Sequence, residues 1–450
     1  MDTFLRSSFG SFLDDLFSGI FTKPSHQNFL LLSLGLIFAF TRHTVASYLW
    51  RAGATSFKHF TRFYVFLGAP CYDKLDLLFE RVIVAAAEHV PFDELIRLRF
   101  DETTSKKTGE KIEGASTYRN GAGTARQEWR TLWGLNFVLG EMRIPLGGQF
   151  VSVPIGLKLY VKEEQAEALG QPYRTRSELA REMLDQVCRL VGRERRVLSV
   201  QDGGYATKQF LQGLPKNAEV VGRLPIDSPL YGLAEPKPPS QPGPQAKKGP
   251  RLGNAQELAE AAAPEAWQAH PEEEGAEVLV VEGLWHSVMP GVLLRVVIVR
   301  REKATKRKKV IEAFFTSLGT LSAEQILQEY RARWSIEILI REAREHYGLG
   351  QDRCRRYRRI VGVNGFRMVL GACQVLWFAQ QVEQHGEGAL RPYQPWYVQK
   401  QQVSLHDITW AVRERLFQEG ITPTVGIWEG VGVIHRLQHE KDAEQLPRAA

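Results

Sequence analysis

Residues 330–350 read YRARWSIEILIREAREHYGLG. On a wheel of about 100° per residue, Ala332, Ile336, Leu339, Ile340, Ala343 and Tyr347 fall on one side, the core-facing stripe of an amphipathic helix. Tyr330, Arg333, Glu337, Arg341 and Arg344 gather in a separate wedge about 80° wide. Two readings fit this wedge. In one, Glu337 pairs with Arg333 or Arg341 at i,i+4 and the face is solvated. In the other, Glu337 ligates a metal while the arginines grip phosphates, which requires partners elsewhere in the chain.

The helix is expected to start near Ser322 and run through this stretch. Upstream lie three strand-like runs, AEVLVVEGLW (276–285), GVLLRVVIVR (291–300) and KKVIEAFFTSL (308–318). The basic run RREKATKRKK (300–309) reads as a hairpin tip between the last two. A Pro-rich stretch, Pro236–Pro250, has the composition of an extended, solvated linker. Residues 222–318 therefore read as a β-rich insertion. Further back, LIRLRFDETT (95–104) predicts a strand ending at Asp101. WGLNFVLGEMRIPL (133–146) and FVSVPIGLKLYV (150–161) predict two more. SELAREMLDQVCRLVG (177–192) predicts a helix with Ser177 as cap and Gly192 as stop. RRVLSVQDGGY (195–205) predicts a buried strand ending at Asp202. Three strands, a helix and a strand imply an α/β domain built on a mixed sheet.

Residues 1–94 read as helical. Within them, TRHTVASYLWRAGATSFKHFTRFYVFLG (41–68) has the cadence of a helix-turn-helix, with Gly53 in the turn and Thr55 or Ser56 as the next cap. Its second helix would present Ser56, Lys58, His59 and Arg62 outward to a major groove; a plain helical hairpin fits equally. The expected organisation is a helical region over 1–94, a first core segment over 95–221 and the insertion over 222–318. A second core segment over 319–384 and a C-terminal helical region over 385–450 complete it.

The chain has 450 residues, a net charge of +7 and 44% hydrophobic residues. Those values suit a globular protein of several segments with a polyanionic partner. Cys71, Cys188, Cys354 and Cys373 are too far apart for a disulfide framework or a zinc ribbon, which favours a reducing compartment. NFLLLSLGLIFAF (28–40) is too short to cross a bilayer and reads as a buried core helix. No membrane association is expected.

Asp101 and Asp202 close two strands, and Glu337 lies on a later helix. Neighbouring strands can set the two aspartates side by side, and a helix over that edge can add the third carboxylate. Three such groups repel one another unless divalent cations neutralise them. Magnesium suits an all-oxygen site, and two ions about 3.5–4 Å apart promote phosphoryl transfer. Each residue also has a plain structural use: Asp101 and Asp202 as turn caps, Glu337 in a surface ion pair.

FDETTSKKTG (100–109) resembles the first-aspartate motif of insertion-sequence DDE transposases, and VLSVQDGGYATKQFL (197–211) resembles the second. Tyr330, Arg333, Glu337 and Arg344 are similar to the Tyr-x2-Arg-x3-Glu-x6-Lys signature of one branch, which carries a β-strand insertion between the second aspartate and the glutamate. The resemblance covers residues 95–360. It implies a ribonuclease-H-like fold in which Asp101, Asp202 and Glu337 hold two Mg²⁺ ions, for which Mn²⁺ can substitute. Tyr330, Arg333, Arg341 and Arg344 would hold DNA near the scissile phosphate, with Lys106 and Lys107 reaching a phosphate. It also implies cleavage at terminal inverted repeats, joining of the freed 3′-hydroxyls to target DNA, a homodimer on DNA, and a cytoplasmic, nucleoid-associated bacterial setting. Arg344 stands where the signature has lysine, Glu102 where relatives have a second aspartate, and FFTSLGTLS (314–322) where a Thr-Asp pair is expected. Trp285 reads either as a base-stacking residue or as a core tryptophan. The alternatives in function are a non-catalytic DNA-binding derivative and a structure-specific nuclease without strand transfer.

Overall fold

The computed structural model describes residues 2–40, 43–119, 131–237, 244–302, 309–386, 400 and 402–424. Contacts divide the chain into two compact units, Met1–Leu75 with Arg344–Ala450, and Asp76–Ala343.

The first unit opens with six helices, α1 (Asp2–Leu5), α2 (Ser8–Leu16), α3 (Lys23–Ile37), α4 (Val45–Arg51), α5 (Thr61–Gly68) and α6 (Pro70–Asp73). The apolar run at 28–40 supplies the buried face of α3, as its composition predicts. The expected second recognition helix is shorter than its cadence suggests. Ser56, Lys58 and His59 lie in the connection between α4 and α5, and Phe60 rather than Thr55 or Ser56 stands at the N-cap of α5. Three aromatic residues, Phe57, Phe60 and Phe63, interrupt the polar face there, and helix resumes where Phe63, Phe66 and Leu67 can be buried.

The second unit is built on one sheet. Its helices are α7 (Leu75–Glu88), α8 (Glu163–Ala168), α9 (Arg176–Val191), α10 (Lys208–Leu211), α11 (Ala255–Ala261), α12 (Ala323–Ala332) and α13 (Ser335–His346), the last of which carries the chain into the first unit. The strands are β1 (Ile96–Lys106), β2 (Ser116–Arg119), β3 (Thr131–Leu146), β4 (Gln149–Tyr160), β5 (Val197–Gln201) and β6 (Ala218–Leu224). They are followed by β7 (Leu230–Tyr231), β8 (Arg251–Gly253), β9 (Gln268–Ala269), β10 (Glu277–Leu284), β11 (Leu293–Glu302) and β12 (Lys309–Thr316). β4, β3 and β1 pair antiparallel, and β5 and β6 continue from β1 in parallel. The β3–β4 turn is Gly147–Gly148, both at positive φ (54° and 83°), the backbone a two-residue hairpin requires. This mixed sheet with its helices is consistent with a ribonuclease-H-like DDE domain.

Two expectations are revised. β1 does not stop at Asp101; it runs five residues further, because Thr103 and Ser105 continue the buried alternation against β3. α9 is capped by Thr175 in a capping box with Glu178, and Ser177 lies inside the first turn; the helix does end at Gly192. The strands within residues 222–318 extend this sheet. β12 pairs antiparallel with β6, and β11 and β10 carry the same sheet onward, so the edge that β6 would expose is paired. The centre of the basic tip at 300–309 lies outside the described residues. Trp285 is 3% exposed and packs edge-on against Phe315 at 5.7 Å, so it is a core residue.

Alternation along β1 sends Leu98, Phe100 and Glu102 to one face and Arg97, Arg99 and Asp101 to the other. α9 and α10 cover the first face: Phe100 meets Phe210, and Glu102 faces Arg176. α12 covers the second, where Leu198, Val200, Val221, Val297, Val299, Phe314, Ile326 and Leu327 form a buried cluster.

The first unit closes with α14 (Tyr357–His385) and α15 (Leu405–Gln418). α14 is long and apolar enough to cross a membrane by length and composition, but its apolar window is wholly buried inside the fold. Gly362 lets it approach α5, since a Cβ there would lie 1.8 Å from the Leu67 carbonyl oxygen. Two buried arginines tie off chain ends. Arg367 donates to the Tyr48 hydroxyl at 3.0 Å and the Gly348 carbonyl at 2.6 Å. Arg413 of α15 donates to the Ile37 carbonyl at 2.6 Å, placing a cation at the C-terminus of α3. The four cysteines are free and buried, and burial pushes the Cys71 thiol up to about 12.

Candidate active site

The stretch that opens the sequence reading is two helices rather than one. α12 ends at Ala332 and α13 begins at Ser335. Between them, i→i−3 bonds run from Arg333 N to Tyr330 O (3.1 Å), Ile336 N to Arg333 O (3.2 Å) and Glu337 N to Trp334 O (3.1 Å). Such a tight turn advances about 120° per residue instead of 100°. The wheel therefore slips: Ala332, expected in the core, is exposed, while Ile336, Leu339, Ile340 and Ala343 are buried as expected. Glu337 thereby falls in the first turn of α13, where a carboxylate is favourable at the helix N-terminus.

A charge ladder joins this helix pair to β1. On the strand, Arg97 and Arg99 both face Glu329, and Asp101 faces Arg333. Arg97 Nε donates to Glu329 Oε1 at 2.7 Å, and Arg99 Nη2 lies 3.9 Å from Glu329 Oε2. Arg333 is the rung at the site. Its Nη2 donates to Glu337 Oε1 at 2.8 Å, and its Nη1 lies 3.9 Å from Asp101 Oδ2. The i,i+4 pair of the first reading forms, and the same guanidinium also faces Asp101 on the sheet.

Asp202 follows β5 directly. Its Oδ1 accepts from Gly204 N at 2.8 Å and Tyr205 N at 3.3 Å, so it caps the short turn Gly203–Tyr205. β1 and β5 are parallel, with Arg99 opposite Val200; two more residues along the same register stand Asp202 beside Asp101. Asp101 Oδ1 accepts from the Glu102 amide at 2.8 Å. Burial raises the Asp101 carboxyl to about 7, and the charges of Asp202 and Glu102 push the same way; the Glu102 amide bond and Arg333 oppose them.

The remaining predicted residues divide. Tyr330 packs on Phe314 at 4.6 Å with the Arg333 guanidinium 5.9 Å from its ring centre, and burial raises its hydroxyl pKa. Arg341 is exposed one turn beyond Glu337. Arg344, in the last turn of α13, is partly buried, which lowers its pKa. Lys106 and Lys107 lie at the end of β1, about 17–20 Å along the chain from Asp101. Lys58 and Arg62 belong to the first unit, where Lys58 donates to the Asn28 side chain at 3.2 Å.

Sequence reasoning passed over Tyr205, Arg176 and Glu329. The Tyr205 hydroxyl donates to Glu102 Oε2 at 3.2 Å, and Arg176 Nε lies 3.8 Å from Glu102 Oε1. Glu102 is thus held on the α9 face, away from Arg333. Tyr205 follows the second aspartate by three residues, and Glu329 precedes Arg333 by four; those spacings were the available signals.

The family described as DDE superfamily endonuclease matches residues 15–278, more than half of the chain. The chain belongs to that superfamily. The match spans the positions of Asp101 and Asp202 and ends before α13, so it does not reach Glu337. No curated protein matches the chain. DDE endonucleases typically use divalent metals. Among the described residues, no group of three His, Cys, Asp or Glu side chains is spaced to hold a metal ion. The donor chemistry nevertheless fits: the groups are carboxylates, and burial raises the Asp101 carboxyl to about 7 with the Asp202 charge pushing the same way. The Arg333 guanidinium stands between Asp101 and Glu337 as their common positive charge.

Proposed function

We propose that this DDE endonuclease is a DNA transposase of the branch with a β insertion, and that Asp101, Asp202 and Glu337 are its catalytic carboxylates. The observation that supports the reading is that Asp101 lies on β1, Asp202 directly follows the parallel neighbour β5 and its charge acts on Asp101, and Arg333 lies between Asp101 and Glu337. In this reading the strands β10–β12 beyond β6 are the insertion.

Asp101, Asp202 and Glu337 would hold two Mg²⁺ ions, which supply an activated water and charge neutralisation at the phosphate. The chain's own residues do the rest. Asp101, whose carboxyl burial raises to about 7, would give up its proton when a cation joins it. Arg333 moves from the carboxylates to a phosphate oxygen, for which its planar fork is suited. Tyr330 supports that guanidinium from the side. Arg341 and Arg344 extend the cationic face along α13, and Lys106, Lys107, Lys58 and Arg62 are proposed backbone contacts further away. The partners are the inverted repeats that end the element and the target DNA, with two copies of the chain assembled on them in the bacterial cytoplasm.

A second reading is a DNA-binding derivative without cleavage. It is favoured by the place Arg333 occupies between two of the three carboxylates. One experiment separates them. DNA flanking the gene for this chain is incubated with the purified protein and Mg²⁺, beside a Glu337→Gln variant that binds the same DNA. Cleavage at inverted repeats by the wild type alone supports the transposase. Binding without cleavage by either protein supports the derivative, and equal cleavage by both removes Glu337 from the site. Joining of the cut ends to a second duplex distinguishes a transposase from a nuclease.

A further inference from the structure

The charge ladder has an unfilled place one step along β1 from Asp101. In the β1–β3 register, Arg97 stands directly opposite Arg143, and Arg99 opposite Glu141. Like charges facing across a ladder destabilise it. With Phe150, Gln325, Gln328 and Glu329, the three arginines line a cleft of about 370 Å³. Arg99 is 1% exposed, and its Nε and Nη1 have no hydrogen-bond partner among the described residues. A guanidinium cannot escape this by losing its proton.

The neighbouring carboxylates are already engaged. Glu329 gives its short contact to Arg97 at 2.7 Å and lies 3.9 Å from Arg99. Glu141 accepts from the Ser152 hydroxyl and from Ser335 Oγ at 2.8 Å. Three cations therefore face two carboxylates, and the most deeply buried cation is the least satisfied. A buried charge in that condition is costly unless another anion completes it. At the rim, Arg97 and Arg143 lie 5.4 and 5.9 Å from the Phe150 ring centre, and Arg143 also donates to Ser152 Oγ at 2.9 Å and the Phe150 carbonyl at 2.7 Å and lies 3.7 Å from Glu141.

We propose that this cleft binds a phosphate group, with Arg99 at its floor and Arg97 and Arg143 at its rim. The phosphate is a phosphodiester of a DNA strand passing Asp101, or a free phosphate ion. Arg99 and Asp101 share one face of β1 and lie about 7 Å apart along it, so a strand placed at the carboxylates passes the cleft. The DNA source rests on the proposed function above; the free-phosphate source does not.

The test uses the full chain with metal chelated. Wild type, Arg97→Gln and Arg143→Gln are melted against increasing inorganic phosphate at constant ionic strength, and their binding to duplex DNA is followed by anisotropy across a salt series. Arg97 and Arg143 are each partly exposed, and Arg97→Lys serves as a charge-retaining control for folding. Saturable stabilisation of the wild type by phosphate, at least tenfold weaker in both glutamine variants, supports a free-phosphate site. No phosphate effect, with DNA affinity about tenfold lower in both variants and a log–log salt slope shallower by about one, supports a phosphodiester site. Stabilisation by phosphate that both variants retain in full places the anion elsewhere and overturns the proposal. So does a wild type indifferent to phosphate whose variants keep its DNA affinity and slope. If the wild type binds no DNA, the reading as a DNA enzyme fails and the phosphate melts alone decide the cleft.

Discussion

Replacing Asp101 with asparagine should stabilise the metal-free protein while abolishing cleavage. The folded site raises the Asp101 carboxyl from the ordinary 3.8 to about 7, chiefly through burial and then through Asp202 and Glu102. Below pH about 3.8, folded and unfolded chains both hold the proton. Between there and about 7 the unfolded chain releases it while the folded chain keeps it, so stability falls as pH rises. Above about 7 both are ionised and the loss is complete. Roughly three pKa units at 1.36 kcal/mol each make that loss about 4 kcal/mol. Asparagine is neutral throughout and still accepts the Glu102 amide, but it forfeits the 3.9 Å ion pair to Arg333. That pair is already among the causes that set the value of about 7, so the expected gain is about 4 kcal/mol at pH 8, vanishing near pH 4. The assay is denaturant unfolding of wild type and Asp101→Asn at pH 4, 6 and 8 in chelator, followed by a probe of the Asp76–Ala343 unit. Adding Mg²⁺ at pH 8 should raise the wild type towards the variant and leave the variant unmoved. A variant less stable than wild type at pH 8, or a difference that does not change with pH, would refute the electrostatic reasoning.

Two further outcomes test the packing. Gly362→Ala sets a methyl group 1.8 Å from the Leu67 carbonyl, so α14 and α5 must separate; we expect a loss of about 3 kcal/mol or more, read as a lower melting temperature with DNA cleavage chemistry unaltered at permissive temperature. Trp285→Ala empties a buried site against Phe315 and should cost about 3–5 kcal/mol. Weaker DNA binding by that variant at unchanged unfolding midpoint would instead identify Trp285 as a stacking residue.

The local periods of the sequence determined most of the elements: the β1, β3–β5 and β10–β12 runs, α9, and the buried face of α13. Hydrophobic alternation and helical stripes report on which side of an element meets a core, and that information is local. The motifs around Asp101, Asp202 and Glu337 were equally legible, because each is a short run with its own spacing. The tertiary structure decided what lay between elements. The end of β1 could not be read at Asp101, since Thr103 and Ser105 are polar and are buried only because β3 pairs with them. The break at Arg333–Trp334 carries no proline or glycine, and it shows itself only as the exposure of Ala332. That Arg333 would serve Glu337 and Asp101 at once depends on the turn between α12 and α13 lying against β1, a relation between elements distant in sequence. The arginine cleft has the same origin. Arg97, Arg99 and Arg143 look like ordinary surface charges in the sequence, and the β1–β3 register is what buries one of them and sets the other two face to face.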